Sequence, residues 1–123
     1  MKILYIEDDQ ANRQLVSFMI ERRDDIHLEL AENGGDGLAL AVEVNPHLIF
    51  LDLSLPDMTG YEVLKKLKQD EKTCHIPVIA VSGDSGVSDI AVGLNAGLDG
   101  YLTKPLDVMK FYATIDSYLK NNP

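Results

Sequence analysis

The chain has no tryptophan, a single cysteine and no long hydrophobic run in its 123 residues. Each scarcity removes a class of answer. One cysteine, Cys74, excludes an internal disulfide and fits a reducing cytoplasm. The apolar runs stop far short of the roughly 18 residues that a membrane helix requires. The first of them is cut by Glu7-Asp8-Asp9, which argues against a secretory leader. Three dispersed histidines (His27, His47, His75) offer no zinc-ligand spacing. Basic residues are also few: 11 Lys and Arg against 20 Asp and Glu give a formal net charge of −9, with no basic cluster. A nucleic-acid surface needs such clusters to neutralise phosphates, so that class falls away as well. What remains is 46% hydrophobic and 25% charged, the composition of an ordinary globular protein. The length suits one domain with a continuous core. There is no internal repeat, linker or low-complexity segment.

Short β-type runs alternate with helical periodicity. Ile3-Leu4-Tyr5-Ile6 is apolar throughout, as expected of a strand covered on both faces. Residues 10–23 place Ala11, Leu15, Phe18, Met19 and Arg22 at helical spacing, with Val16 and Ile20 widening the stripe. Ile26-His27-Leu28-Glu29-Leu30 alternates, the mark of a strand exposed on one side. After Asn33-Gly34-Gly35 a second helix turns Leu38, Ala41 and Val42 inward until Asn45-Pro46 stops it. His47 to Leu51 form a third strand leading into Asp52. Thr59 to Glu62 has the capping-box form and opens a third helix, with Val63, Leu64 and Leu67 as its stripe. Pro77 opens a fourth strand, Val78-Ile79-Ala80-Val81. Val87, Ile90, Ala91 and Leu94 predict the inward face of a fourth helix that ends near Gly97. Gly100 to Thr103 make a short fifth strand before Lys104-Pro105. Val108, Phe111, Tyr112, Ile115 and Leu119 share one face of a last helix.

Five βα units predict a parallel sheet with helices on both faces. The first, third and fourth runs are uniformly apolar, whereas the second alternates and the fifth is short. That places the second and fifth strands at the edges. The expected fold is a single doubly wound (βα)5 α/β domain over residues 1–123, flavodoxin-like, with strand order 2-1-3-4-5.

Ligands of such sheets bind beyond the carboxyl ends of the strands. Glu7 and Asp8 follow the first strand, Asp52 ends the third, Ser82 ends the fourth and Lys104 follows the fifth. Singly, each has a plainer role: Asp8 or Asp9 a helix cap, Asp52 a turn residue, Ser82 a strand end, Lys104 a solvated charge. Together they fall on one small area. Three convergent carboxylates repel, and at least one titrates upward unless a cation intervenes. A hard divalent ion with oxygen ligands resolves this, and magnesium keeps positions open for a phosphoryl oxygen. Asp52 then acts as ligand and as nucleophile, forming an aspartyl phosphate. Lys104 and the Ser82 hydroxyl lie where they can contact the transferring oxygens.

These residues resemble the receiver domain of two-component response regulators. "ILYIEDD", "HLIFLDLSLPDMTGYE", "IPVIAVSG" and "DGYLTKPL" fall in that family's order and spacing over essentially the whole chain. The resemblance implies that Glu7 and Asp8 are the acidic pair holding magnesium and that Asp52 is the phosphorylated residue. It implies a metal-bound backbone carbonyl at Ser54, a switch hydroxyl at Ser82, a switch aromatic at Tyr101 and the family's lysine at Lys104. A cis peptide before Pro105 is implied too. The phosphoryl donor is then a histidine kinase or a histidine phosphotransfer protein. A downstream protein, or a second copy in a homodimer formed on activation, meets the face of the fourth helix, fifth strand and fifth helix. The implied role is cytoplasmic signalling, with no reaction beyond the domain's own phosphorylation and dephosphorylation, and with no nucleic-acid or membrane partner.

Gly83 follows Ser82 where alanine is common in the family, which keeps room for the phosphoryl group. Ser54 and Asp84 stand at positions that tune phosphoryl lifetime, and Asp84 either orients a hydrolytic water or repels it. No residues remain for an output domain. The chain is therefore expected to be a stand-alone receiver, or else the receiver of a hybrid sensor kinase or larger regulator. A rival of another class is a magnesium-dependent aspartyl-nucleophile phosphatase of the haloacid-dehalogenase type. Such enzymes carry a second Asp two residues after the nucleophile, where Ser54 stands here, and a cap for which this length leaves little room. A flavodoxin-like cofactor binder would want a phosphate-cradling loop after the first strand, where Glu7-Asp8-Asp9 would repel the phosphate.

Overall fold

In the computed structural model, which describes residues 1–83 and 86–121, five strands alternate with five helices. They are β1(Lys2–Ile6), α1(Gln10–Glu21), β2(His27–Ala31), α2(Gly34–Val44), β3(Leu48–Asp52), α3(Gly60–Gln69), β4(Val78–Ser82), α4(Val87–Asn95), β5(Gly100–Thr103) and α5(Val108–Asn121). The strands pair in parallel in the order β2-β1-β3-β4-β5, as the hydrophobic patterning predicts. β3 and β4 are buried at every position, whereas the edge strand β5 is only half-buried throughout. Lys104-Pro105 is cis.

Within the uniformly apolar runs, alternate residues serve different cores. Leu4, Ile6, Ile49, Leu51, Val78 and Ala80 pack with Ala41 of α2 and with Val63, Leu64 and Leu67 of α3. Ile3, Tyr5, Leu48, Phe50, Ile79 and Val81 pack with Val16, Met19 and Ile20 of α1 and with Phe111 and Ile115 of α5. The Phe50 and Phe111 rings lie 4.8 Å apart in a tilted arrangement, a favourable geometry for an aromatic pair. The two-residue period of a strand carries this sidedness past the strand ends. Glu7 continues the side of Tyr5, Asp52 that of Phe50 and Lys104 that of Leu102, all toward α1 and α5. The register Tyr5↔Phe50, Ile6↔Leu51 brings the two acids side by side.

Four helices differ from the predicted stripes, α5 only at Val108, which is exposed. On α4, Ala91 and Leu94 were expected inward but are exposed, Leu94 by 47%, while Gly93 is buried and Ile90 half-buried. The Val87 side chain lies outside the described ones. The cause is the close approach at Gly93, where a Cβ would fall 2.8 Å from Leu98 Cδ1 and 3.2 Å from Tyr101 Cδ2. α4 meets the sheet edge through a residue with no side chain, so the apolar pattern points to the wrong face. On α1, Val16, Met19 and Ile20 are buried, but Ala11, Leu15, Phe18 and Arg22 are exposed. Leu15, Phe18 and Arg22 line an apolar groove shared with Val108 and Tyr112 of α5, and the Arg22 guanidinium covers the Phe18 ring at 4.9 Å. On α2, Val42 is exposed and contact runs through Gly34, Gly37 and Ala41.

The loop after β3 is held from two directions. Thr59 caps α3 by accepting the Glu62 N–H at 3.2 Å, as the capping pattern predicts. The Gly60 N–H donates to the Leu53 carbonyl at 3.0 Å, and Ser54 pairs with Thr59, so the loop folds back on the strand end. Asp57 reaches across to α2, its two oxygens accepting the Gly34 and Gly35 N–H groups at 2.8 and 2.9 Å. Those N–H groups have no partner within the helix. Their hydrogen bonds hold the Asp57 carboxyl below the usual carboxylate range.

Gly60 admits no side chain, because a Cβ would lie 2.6 Å from both the Asp52 carbonyl oxygen and Leu53 Cα. Backbone cannot step aside as a flexible side chain can. Gly60→Ala is therefore expected to lower stability by about 1–3 kcal/mol, the usual range for overpacking. It should also move the Asp52 amide resonance. Chemical denaturation and an amide spectrum check this, and an unchanged midpoint would show that the loop backs away freely.

Candidate functional site

Each strand end delivers its polar residue for a local reason. Asp9 caps α1, its Oδ1 accepting the Ala11 N–H at 2.9 Å, which turns the chain sharply after Glu7 and Asp8. The Arg13 guanidinium pins that turn, donating to the Glu7 carbonyl at 2.9 Å and pairing with Glu32 at 3.3 Å. Asp52 is the last residue of β3, and its Oδ1 accepts the Ser54 N–H at 3.1 Å. The Lys104 N–H donates to the Ser82 carbonyl at 2.8 Å, which fixes the end of β5 against β4.

The sequence-predicted acids and lysine come together. The Lys104 ammonium lies 2.8 Å from Glu7 Oε1 and 3.4 Å from Asp52 Oδ2. Glu7 is fully buried, Asp52 is 4% exposed and Asp8 is exposed. One oxygen from each of Glu7, Asp8 and Asp52 lies within 4.8 Å of the others. Ser82 is buried at the next strand end, and a Cβ at the following Gly83 would meet no atom of the described residues within 4 Å. Ser54 stands in the loop beside Asp52, exposed. Tyr101 is half-buried on β5, its ring against Gly93 of α4. Asp84, which the resemblance ties to phosphoryl lifetime, lies with Ser85 outside the described residues.

Two residues that the sequence did not single out complete the floor. The Asn12 Nδ2 donates to Glu7 Oε1 at 2.7 Å, and the Tyr5 hydroxyl lies 3.4 Å from the same oxygen. Both signals were in the sequence: Tyr5 shares the strand face of Glu7, and Asn12 stands one turn beyond the Asp9 cap. Nothing in composition or motif marked them as polar neighbours.

A hydrogen bond between Glu7 and Asp52 exists only while Asp52 carries a proton, and among the described residues no N–H or hydroxyl group donates to Glu7 Oε2, which is buried. Such an atom is costly unless a proton or cation reaches it. Loss of water, reinforced by the adjoining Glu7 carboxylate, pushes Asp52 up to about 7 against the opposing Ser54 N–H. Burial pushes Glu7 the same way, but hydrogen bonds with Asp52, Lys104 and Asn12 outweigh it and leave Glu7 below the usual range. Without a metal, then, the pair keeps a proton on the Asp52 side. For Lys104, burial opposes the charge, but the hydrogen bond to Glu7 and the Asp52 charge prevail and raise it. Burial and Glu7 push the Tyr5 hydroxyl upward, so it stays a donor. A buried hard-oxygen set with an unmatched acceptor fits a hard divalent cation such as magnesium, and suits a soft metal poorly.

A pH dependence follows. Asp52 is raised above its ordinary 3.8 to about 7, so the folded state holds a proton that the unfolded chain has lost. That contribution to stability is full below about pH 4 and disappears as pH rises through about 7. With chelator present, the melting temperature of the parent should fall across that upper step. Asp52→Asn should flatten the step and melt higher than the parent at alkaline pH. Parallel melting curves for the two proteins at all pH values would contradict the shared-proton arrangement.

Comparison with known proteins agrees with this geometry. Residues 3–116 match the family model of the response regulator receiver domain. The chain is 40% identical over 119 residues, 97% of its length, to the DNA-binding dual master transcriptional regulator RpaA of Synechocystis sp., of which it covers 49%. It thus spans about half the length of that relative. It is 38% identical over 117 residues to the polar-differentiation response regulator DivK of Brucella anthropi, covering 95% of this chain and 94% of that one. The crystal structure of a CheY-like response regulator receiver domain protein from Methanospirillum hungatei JF-1 superposes with a TM-score of 0.85 at 29% identity, covering 98% of this chain and 94% of that one. The phosphatase reading finds no support in them. The chain belongs to the response regulator receiver domain family, the phosphoacceptor signalling domains of two-component systems.

Proposed function

We propose that Asp52 is the residue phosphorylated, that residues 1–123 act as one receiver domain, and that the donor is a histidine kinase or a histidine phosphotransfer protein. The observation that carries this is a buried carboxylate at the end of β3 with a lysine ammonium at 3.4 Å and two further acids close by. Glu7, Asp8, Asp52 and the Ser54 backbone carbonyl would hold magnesium. When bound, the ion neutralises phosphoryl oxygens and so favours transfer. Asp52 first loses its proton to solvent. Its oxygen then attacks phosphorus in line as the bond to the donor's imidazole nitrogen breaks, and the imidazole departs with the bonding pair and takes up a proton from solvent. Lys104 then turns from Asp52 to pair with a phosphoryl oxygen. The reaction ends on the protein itself, so the domain signals rather than turns over an external substrate. Among the described residues no helix is long and apolar enough to cross a membrane, and a cytoplasmic setting suits that.

Output follows from the same group. The Ser82 hydroxyl would bond the phosphoryl group and draw the loop toward it. Tyr101 would turn inward from its place against Gly93. The surface affected is α4, β5 and α5, which is the proposed face for a downstream protein or for a second copy on activation. Val92 and Leu94 of α4 and Met109 of α5 are exposed there.

Acetyl phosphate with magnesium should give a single phosphoryl adduct by intact mass, and Asp52→Asn or removal of magnesium should abolish it. An adduct that survives Asp52→Asn would place the chemistry elsewhere. Beryllofluoride should shift amide resonances of residues 86–92 and 100–112 more than those of residues 26–45. Ser82→Ala should leave Asp52 modifiable while blunting those distant shifts. Shifts confined to the acids would rule out this output face.

A further inference from the structure

We infer that Asn12 is a positioning residue for the cation site, its side-chain amide setting the rotation of the Glu7 carboxylate so that one oxygen is occupied and the other is presented to the ion. This rests on the magnesium reading above.

Three donors meet one oxygen of Glu7: Asn12 Nδ2 at 2.7 Å, Lys104 Nζ at 2.8 Å and the Tyr5 hydroxyl at 3.4 Å, all on Oε1. Oε2 is buried and, among the described residues, meets none. The terminal torsion of a glutamate is broad, so the side chain does not choose this orientation by itself. Its partners do. Lys104 is a poor permanent anchor, because it also reaches Asp52 Oδ2 at 3.4 Å and is the cation best placed to turn toward an arriving phosphoryl group. Tyr5 is distant. Asn12 is the short contact that has no second task at the acids.

The amide is itself held in place. Its Nδ2 also donates to Asp9 Oδ2 at 3.2 Å, and Asp9 caps the helix on which Asn12 sits. The two amide protons thus bridge the cap and Glu7, and the start of α1 aims the pair. A neutral donor suits this place better than a second cation would. It occupies Oε1 while leaving the negative charge that attracts a divalent ion undiminished. Outer partners that orient ligands in this way typically contribute 10–100-fold to metal affinity.

The test compares the parent with Asn12→Leu, which keeps the shape without the donor, and with Asn12→Ala, a strong helix former at this half-exposed first-turn site. Magnesium dissociation constants come from amide-shift titration, and melting temperatures are taken with chelator. Both variants should bind magnesium roughly ten-fold or more weakly. In phosphorylation by acetyl phosphate, the loss should appear in the magnesium concentration giving half the maximal rate rather than in that rate at saturation. Magnesium affinity equal to the parent's, with only the melting temperature lowered, would make Asn12 part of the helix cap alone and overturn the inference. A parent protein that binds no magnesium would overturn the magnesium reading and this inference together. An Asp8→Asn loss without an Asn12 effect would overturn only the latter.

Discussion

A buried carboxylate just past the end of one strand and a lysine just past the end of another, 2.8 Å apart at Glu7 and Lys104, govern the architecture of this domain. Taking either charge out of water alone would cost several kcal/mol. The partners come from beyond β1 and from beyond β5, strands separated in the sheet by β3 and β4. The lysine crosses those strand ends on its flexible four-carbon stem. Asp52 lies under the crossing and makes the cluster electrostatically incomplete, since one ammonium stands against two buried carboxylates.

That incompleteness is the functional property. A satisfied ion pair would be inert, whereas a pair carrying an extra carboxylate holds a proton, accepts a cation or takes up a phosphoryl group bound to one. The surrounding fold keeps the acids from relaxing apart. β1 and β3 are paired in register up to Leu51, α3 presses Gly60 onto the Asp52 carbonyl, and Arg13 and Asp9 hold the turn after β1. Asp57 ties the adjoining loop to the first turn of α2, and Met58 packs where a side chain at Gly34 would otherwise lie. Close packing of this kind leaves the strand ends little freedom to lower their repulsion by moving.

Much of this was legible in the sequence, and the reason is periodicity. Apolar runs of strand length, separated by helical stripes, allow few topologies once crossovers are right-handed. Glu7, Asp52, Ser82 and Lys104 stood out because each ends such a run. The helix faces were less legible. On α4 and α2 the contacts run through Gly93, Gly34 and Gly37, and a hydrophobicity pattern gives no weight to residues whose role is to be absent. On α1, Leu15 and Phe18 belong to a groove with α5, a neighbour that no local pattern reveals. Asn12 and Asp57 escaped notice because Asn and Asp near helix starts ordinarily cap their own helix. Here Asn12 serves Glu7, and Asp57 serves a helix earlier in the chain.

By itself the sequence determined the order of elements, the sheet order with its edges and the identity of the polar residues at the strand ends. Those depend on residue type and on spacing along one chain, which local physics reads directly. Only the tertiary structure decided that Glu7 is wholly buried while Asp8 is exposed, that three donors crowd one Glu7 oxygen while no N–H or hydroxyl of the described residues reaches the other, and that Asp52 rather than Glu7 keeps the proton. Desolvation and hydrogen bonding depend on distances between groups up to 97 positions apart in the chain. Those distances exist only once the sheet has closed.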